Sequence, residues 1–308
     1  MGARSSPEGY RVAVARYGLP VQMRAQAMRR LWIAGLIGVA VVATGCSHVT
    51  GSKATNDGKL KPCEFIAKLD QIANTVATAD VHDPDTFKKT LDTSVRAYVG
   101  NGLDCTSCHL NAGTVAYAAP LVGLWGVFPE YEARSDRVET LADRINDCFL
   151  RSMNGRPLPV DGREMRALLA YTAWLSTGVP TGSSVEGRGF ANLAAPPRKP
   201  DADRGKAVYA QQCAACHGAE GGGVHTADGT FAIPPLWGPE SFNSGAGMAR
   251  ASIAAAFVHA KMPLGRGGSL SVQEAWDVAS YFTEQPRPAF AQSAKDWPRG
   301  GRPPDARN

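Results

Sequence analysis

The sequence predicts an all-α protein built from two small helical domains. The same short motif, Cys-x-x-Cys-His, occurs twice, at residues 105–109 and 213–217. Each copy is followed by a Pro-Leu segment and then by apolar residues at helical spacing, and no segment shows the alternation typical of a β-strand. A chain of 308 residues is also long enough for two domains of ordinary size.

The distribution of charge argues against a nucleic-acid partner. The formal net charge of +5 arises in the first 45 residues, which contain six arginines and one glutamate. When these are removed from the 33 basic and 28 acidic residues of the chain, 27 of each sign remain. Such a neutral body lacks the basic surface that binding to nucleic acids requires.

The first 45 residues are predicted to be a targeting segment. Three arginines precede an apolar run over residues 31–44, which is shorter than the ~20 residues of a membrane span but typical of a secretory signal. We therefore expect export to the periplasm. Residues 43–46, Ala-Thr-Gly-Cys, resemble a bacterial lipoprotein cleavage site, so Cys46 is a candidate for lipidation and membrane anchoring. A simple cleaved signal is the alternative.

The repeated motif indicates covalent attachment of haem c. In Cys-x-x-Cys-His, the two thiols add to the haem vinyl groups and the adjacent histidine binds the iron. The predicted attachment residues are Cys105, Cys108, Cys213 and Cys216, and the predicted proximal iron ligands are His109 and His217. The sequence therefore predicts two haem c groups in two cytochrome c-type domains.

Other uses of paired cysteines fit this chain less well. A zinc ribbon has its two pairs ~15–20 residues apart, whereas 104 residues separate the pairs here. A thioredoxin-like motif needs a βαβ pattern, which is absent from the sequence, and structural disulfides would not require a histidine after both pairs.

Shifts in composition predict the domain boundaries. Residues 179–200 are rich in Gly, Ser and Pro, as in a linker, and the residues after 288 are rich in Pro and Arg without periodicity. The predicted order is a signal segment, 1–45; an N-terminal extension, 46–84; cytochrome c-like domain 1, 85–178; the linker, 179–200; cytochrome c-like domain 2, 201–288; and a tail, 289–308.

The second domain offers four candidates for the other axial ligand of its iron, namely Met248, His259, Lys261 and Met262. A helix is predicted over residues 252–259 with Ser252 as its N-cap, and Pro263 should end it. The residue before a proline favours extended backbone, so Met262 can project from a loop, and its thioether would stabilise reduced iron. The alternatives are a core methionine for Met262 and a solvated side chain for Lys261.

Cys148 is the most reactive candidate in the first domain. It lies on a predicted helix, and Arg144 and Arg151 occupy the same face at i−4 and i+3. Neighbouring guanidinium groups lower the pKa of a thiol, and a thiolate ligand would lower the potential of the iron. A buried free thiol, or a disulfide with Cys63, remains an equal alternative, and Cys63 has no other role that the sequence indicates.

Several short segments resemble the dihaem thiosulfate dehydrogenases. The similarity runs from about residue 85 to 288, and the first domain also resembles the Sox-system cytochromes that use a cysteine as a haem ligand. The matching segments are Tyr-Val-Gly-Asn-Gly-Leu at 98–103, Asp-Arg-Ile-Asn-Asp-Cys-Phe at 143–149, Arg-Ser-Met-Asn-Gly at 151–155, Pro-Pro-Leu-Trp-Gly at 234–238, Ser-Phe-Asn at 241–243, Gly-Ala-Gly-Met at 245–248 and Lys-Met-Pro at 261–263.

The resemblance implies a catalytic site at the first haem. It implies that His109 and Cys148 are the axial ligands there, and that two thiosulfate anions are joined to tetrathionate in a reaction that can run in reverse. The substrate-binding arginines would correspond to Arg134 and Arg144, with Ser152 nearby, although Arg137 is close enough to Arg134 to compete for the first assignment.

At the second haem the resemblance implies that Lys261 and Met262 form an exchangeable pair of ligands. A hard amine suits oxidised iron and a soft thioether suits reduced iron. Electrons would leave through this haem to an external acceptor, such as a small cytochrome c or another high-potential redox protein. The rival hypothesis is a dihaem electron carrier, or a cytochrome subunit of another oxidoreductase, with no substrate of its own.

Overall fold

The computed structural model describes residues 95–227 and 229–307. The targeting segment, Cys46 and Cys63 lie outside the described residues. The described residues all belong to one compact unit, which contains both Cys-x-x-Cys-His motifs. Among the described residues, we found no helix that combines the length and the apolar character needed to cross a membrane.

Helices account for most of the regular structure, as the sequence predicts. The α-helices are α1, Leu110–Gly113; α2, Leu141–Arg151; α3, Arg163–Leu175; α4, Ala202–Gln212; α5, Ala214–His217; α6, Ala251–Lys261; and α7, Val272–Glu284. The 3-10 turns are Arg96–Tyr98, Cys105–Ser107, Leu124–Gly126, Gly247–Ala249 and Ser293–Lys295. The strands are β1, Glu130–Glu132; β2, Arg137–Glu139; β3, Val224–His225; and β4, Phe231–Ile233.

The strands form two short antiparallel hairpins, β1 with β2 and β3 with β4. Each strand is only two or three residues long, which is too short to produce a recognisable period of two in the sequence. The all-α prediction is therefore confirmed, with the hairpins as local additions.

The first domain packs α2 and α3 around one apolar core. Thr140 begins α2 with a capping box, in which its hydroxyl accepts from the Asp143 N–H and satisfies a backbone group at the helix end. Phe149 of α2 and Met165 and Tyr171 of α3 are almost completely buried in this core. The core thus fixes the face of α2 that carries Cys148.

The second domain crosses its first helix with its last. A Cβ atom at Gly205 in α4 would lie 2.0 Å from the Asp277 carbonyl of α7, so the close approach of the two helices requires a glycine. Tyr209, Val278 and Phe282 fill the core around this crossing. The last helix of the domain therefore packs closely across the first.

Asp277 is a buried carboxylate at the same crossing. It accepts hydrogen bonds from the Asp201 backbone N–H at 2.8 Å and from Arg204 Nε and Nη2 at 2.8 and 2.9 Å. Burial alone would raise the pKa of Asp277, but the Arg204 guanidinium and the other donors outweigh it and hold the pKa below its usual value.

Replacing Asp277 with asparagine is expected to lower the free energy of unfolding by about 2 kcal/mol at pH 7. Because the folded-state pKa is depressed, the stabilisation is complete above the unfolded value of 3.8 and is lost as the pH falls through the folded value. Urea unfolding of the holoprotein at several pH values measures this, with the exposed change Lys206→Gln on α4 as control. If the difference in the free energy of unfolding between the wild type and Asp277→Asn stays constant down to the lowest pH, the prediction is contradicted.

Amide side chains and an aromatic ring contribute to the contacts between the two domains. Asn101 and Asn154 of the first domain both donate to the Ser241 carbonyl, at 3.3 and 2.7 Å. A Cβ atom at Gly102 would lie 2.4 Å from the ring of Phe231 in β4, so the second domain's hairpin packs tightly against the chain just before the first motif.

The C-terminal segment, residues 289–307, lies against both domains. Phe290 is buried, and the Trp297 backbone N–H donates to the Arg134 carbonyl at 2.7 Å. Further along, Asp305 accepts from the Ser252 backbone N–H at 2.9 Å at the start of α6. The segment predicted as a tail therefore makes specific contacts with both domains.

Candidate functional site

The first Cys-x-x-Cys-His motif is held in a tight turn. Asp104 caps the turn by accepting from the Ser107 N–H at 2.9 Å, and His109 Nδ1 lies 2.5 Å from the Ala119 carbonyl. A carbonyl oxygen can only accept, so Nδ1 carries the proton and Nε2 keeps its lone pair. This is the tautomer that a metal-binding histidine requires.

A pocket opens beside this turn. Cys105 and His109 lie at its wall, and the rest of the lining is mainly apolar; the lining includes Val99, Leu103, Leu121, Phe149, Met153 and Leu168. An apolar slot with the Cys105 thiol and the His109 imidazole at its edge fits a covalently bound haem.

The second motif repeats the same local geometry. His217 Nδ1 lies 2.9 Å from the Pro234 carbonyl, so its Nε2 is also free to bind a metal, and burial lowers the pKa of His217, which keeps the imidazole neutral. In both domains the accepting carbonyl belongs to the residue just before the Pro-Leu segment, Ala119 in one and Pro234 in the other. The repeat predicted from the motifs therefore extends to the groups that orient the histidines.

The geometry disfavours a zinc site at either motif. In the part of the chain that the structure describes, no group of three or more His, Cys, Asp and Glu side chains is arranged to hold a metal ion. The first motif instead presents the Cys105 thiol and the His109 imidazole at the wall of a mainly apolar pocket, which suits attachment of a large planar cofactor.

Cys148 and His109 face the same space in the first domain. Cys148 carries a free thiol and lies close enough to His109 for the imidazole to lower the pKa of the thiol. The two predicted axial ligands therefore lie close together. Cys63, the partner in the alternative disulfide, lies outside the described residues.

Arg144 gives the Cys148 sulfur a positive neighbour. Burial raises the pKa of Cys148, but the neighbouring His109 side chain and the Arg144 charge outweigh it, so that the pKa lies below its usual value. The effect is mutual, because the Cys148 thiolate raises the pKa of Arg144. Arg144 is exposed, so its guanidinium can meet an anion from solvent.

Arg151 does not take part in this pairing, although helical spacing places it on the same face as Cys148. Its guanidinium makes a bidentate pair with Asp296, with both N···O distances at 2.8 Å, and lies 3.4 Å from an Asp147 oxygen. The ring of Phe290 covers it at 4.2 Å. Helical spacing thus correctly predicted the helix face on which Arg151 lies, but it did not predict that Arg151 pairs with Asp296.

Arg134 lies in the turn between β1 and β2, with its guanidinium directed toward the second domain. Nη1 donates to the Gly245 carbonyl at 2.8 Å, Nε lies 3.6 Å from Asp296, and the Trp297 ring lies 4.7 Å from the guanidinium carbon. Burial and the charge of Arg151 lower the pKa of Arg134.

Ser152 and Arg137 occupy different surroundings from Arg134. Ser152 directly follows α2, where its backbone N–H donates to the Cys148 carbonyl at 2.9 Å. Arg137 is exposed and pairs with Glu139 at 3.2 Å. The structure thus distinguishes the two arginines that the sequence left in competition.

The candidates for the second axial ligand of the second domain's iron lie in different surroundings. α6 ends at Lys261, and Met262 follows in extended backbone with φ −115° and ψ 150°, as the proline after it predicts. Met262 packs against the core of the second domain, whereas Met248 packs against the core of the first. Burial lowers the pKa of Lys261, so its amine lies in a partly desolvated position beside Met262.

The start of α6 differs from the prediction. Arg250, not Ser252, is the N-cap residue. Ser252 lies inside the first turn, where the Asp305 carboxylate accepts from its backbone N–H and supplies the cap from a distant part of the chain. Serine is a common N-cap residue. Here, however, the carboxylate of Asp305 in the C-terminal segment accepts the hydrogen bond from the helix N-terminus.

Two residues near the site had no signal in the sequence. Asp296 and Trp297 come from the segment after the second domain, which lacks hydrophobic periodicity. Their contacts with Arg134 and Arg151 join residues more than 140 positions apart. The one sequence feature that could have indicated these contacts is an isolated tryptophan in a Pro- and Arg-rich stretch.

Two family models match the chain. The SoxA/TsdA cytochrome c domain matches residues 96–181, and the cytochrome c domain matches residues 202–285. Together these matches cover both motifs and identify two haem-binding domains, which implies two covalently bound haem c groups.

Several relatives of the chain are thiosulfate dehydrogenases. It is 51% identical over 203 residues to a thiosulfate dehydrogenase of Allochromatium vinosum, covering 65% of this chain and 75% of that protein. It is 50% identical over 209 residues to a thiosulfate dehydrogenase of Psychrobacter arcticus, covering 68% of this chain but only 64% of the relative. The solved thiosulfate dehydrogenase (TsdBA) of Marichromatium purpuratum matches with a TM-score of 0.61 at 38% identity, covering 76% of this chain and 48% of that one.

Proposed function

Since the chain belongs to the thiosulfate dehydrogenase family, we propose that it joins two thiosulfate anions through a new S–S bond to give tetrathionate. The observation that carries this proposal is the placement of Cys148 beside both His109 and Arg144, since a plain electron carrier needs neither a reactive thiol nor an exposed arginine beside it. The reaction releases two electrons, which matches the one-electron capacity of each of the two haem groups that the four motif cysteines would hold.

The arginines bind the substrate. Arg144 and Arg134 donate charge-assisted hydrogen bonds to the sulfonate oxygens. Two dianions ~5 Å apart repel by about 3 kcal/mol even with the screening of water. Positive charge next to Cys148 offsets this repulsion, and Ser152, at the end of the same helix, lies within the same region of the site.

Cys148 supplies the nucleophile. The thiolate forms a bond with the outer sulfur of the first thiosulfate, giving Cys–S–S–SO₃⁻, and this step releases the two electrons. The outer sulfur of the second thiosulfate then attacks the sulfur attached to Cys148, which forms tetrathionate and returns the thiolate. Atoms and charge balance over both steps, and the reverse sequence reduces tetrathionate at the same site.

The second domain passes electrons onward. Met262 or Lys261 would hold the iron together with His217; a thioether would favour reduced iron and an amine would favour oxidised iron. The acceptor is a small cytochrome c or another high-potential redox protein. The targeting segment supports a periplasmic location, with Cys46 as the site of a lipid anchor.

Thiosulfate-dependent reduction of the purified holoprotein tests this proposal. With ferricyanide as acceptor, we expect two thiosulfate anions consumed and one tetrathionate formed for every two ferricyanide reduced. No reduction above a haem-free control would favour the carrier. Reduction that needs an added thiol-bearing protein would instead indicate a partner sulfur carrier of the Sox type.

A further inference from the structure

The C-terminal segment supplies one carboxylate to two arginines near the candidate site. Asp296 is almost completely buried, with 3% of its side chain exposed. It pairs with both nitrogens at the end of Arg151 at 2.8 Å and lies 3.6 Å from Arg134 Nε. Both family models end before this segment, the second at residue 285, so neither assigns a role to Asp296.

We propose that Asp296 is a positioning residue for thiosulfate binding, which it supports by holding Arg134 beside the helix that carries Cys148. This inference rests on the proposed function, because it assumes that Arg134 binds the substrate. Asp296 itself does not touch the substrate; it acts through the arginine.

Arg134 depends on outside contacts for its position. It lies in a hairpin turn whose two strands have only three residues each. The turn is tied down by the Trp297 N–H, which donates to the Arg134 carbonyl at 2.7 Å, and by the Trp297 ring over the guanidinium at 4.7 Å. The Asp296–Trp297 pair thus holds both the backbone and the side chain of Arg134.

The carboxylate also separates two like charges. Arg134 and Arg151 are close enough that the charge of Arg151 lowers the pKa of Arg134. Asp296 lies between them and attracts both. Without its charge the repulsion between the guanidinium groups is uncompensated, and Arg134, on the short hairpin, is the one free to move away, since Asp147 still pairs with Arg151 at 3.4 Å.

The chain provides a matched control on the same segment. Asp305 accepts from Arg250 Nε at 3.1 Å and from the Ser252 backbone N–H at 2.9 Å. It therefore anchors the segment through a comparable ion pair, but to the second domain and not to Arg134 or Arg151. Loosening of the segment alone should affect Asp296→Asn and Asp305→Asn alike.

Steady-state kinetics of the holoprotein test the proposal. For Asp296→Asn we expect the KM for thiosulfate to rise by about tenfold, a change equivalent to one decade of affinity, with kcat within about twofold of wild type. Asp305→Asn should leave KM unchanged, and Asp296→Glu should recover part of the loss. Equal KM values for Asp296→Asn and Asp305→Asn would overturn the inference.

A second variant covers the case in which Asp296→Asn fails to fold. Trp297→Leu removes the ring over Arg134 and leaves the carboxylate, so a smaller rise in KM is expected, and an unchanged KM would then overturn the inference. The proposed function is judged separately by the wild type. If the wild-type protein does not oxidise thiosulfate, the proposed function is wrong. If the wild type is active and Asp296→Asn has an unchanged KM for thiosulfate, only the positioning role of Asp296 is wrong.

Discussion

Replacing Cys148 with serine is expected to lower thiosulfate turnover by at least about a thousandfold, the scale of loss when a catalytic nucleophile is removed. A serine hydroxyl remains protonated beside Arg144, and its oxygen is a poor partner for sulfur chemistry. Both haems should stay attached, because Cys105, Cys108 and the second motif are untouched. The measurements are kcat with thiosulfate and the haem content per chain.

The same variant should change the electron paramagnetic resonance spectrum of the oxidised protein. A low-spin thiolate signal in the wild type that disappears in Cys148→Ser would identify the sulfur as the ligand opposite His109. Ile145→Val on α2 is the control, because it removes one methylene from the same helix at a cost of about 1 kcal/mol. If Cys148→Ser turns over thiosulfate like the wild type, the catalytic assignment is wrong.

Chemistry that is contiguous in the sequence could be predicted completely. The two Cys-x-x-Cys-His motifs contain both thioether positions and the histidine within five residues, so no knowledge of the fold was needed to identify haem attachment. The carbonyls of Ala119 and Pro234 that orient those histidines lie 10 and 17 residues away. Their role depends on how a loop returns to the motif, which local propensity does not determine.

Helical spacing predicted which residues share a face of α2, but it did not predict which side chains they contact. Arg144 and Arg151 have nearly the same sequence relation to Cys148, yet only Arg144 acts on the thiol. The difference arises from Asp296, which lies 145 residues beyond Arg151 and captures its guanidinium. A contact of that range appears only when the C-terminal segment has folded back over the first domain.

The contact between the domains also could not be predicted from the sequence, because it too joins residues that are far apart in the chain. Thr230, next to β4 in the second domain, lines the cavity beside His109 of the first. The adjacent Phe231 fits against Gly102, a position where the missing side chain makes room for the ring. A hairpin of two- and three-residue strands has no detectable pattern, so its reach into the other domain could not be anticipated.

Met262→Leu is expected to lower the reduction potential of the second haem by about 100 mV, a fraction of the ~0.8 V range that axial ligands span. Loss of the soft thioether removes a group that stabilises reduced iron, so the sign is downward. Since 59 mV is tenfold for one electron, the equilibrium for electron arrival at this haem would fall by roughly fiftyfold. Spectroelectrochemical titration of each haem measures the shift, and turnover should fall with it.

Three comparisons make this prediction decisive. A methionine that only fills the core tolerates leucine at a cost below about 1.5 kcal/mol and leaves the potential unchanged, which is the outcome that would reject the ligand. Met248→Leu is the control, because Met248 packs in the core of the first domain. Lys261→Gln should shift the potential upward or not at all, since an amine favours oxidised iron. Opposite signs at adjacent residues can arise only if the two side chains compete for one iron, because loss of packing would change stability in both variants without reversing the potential.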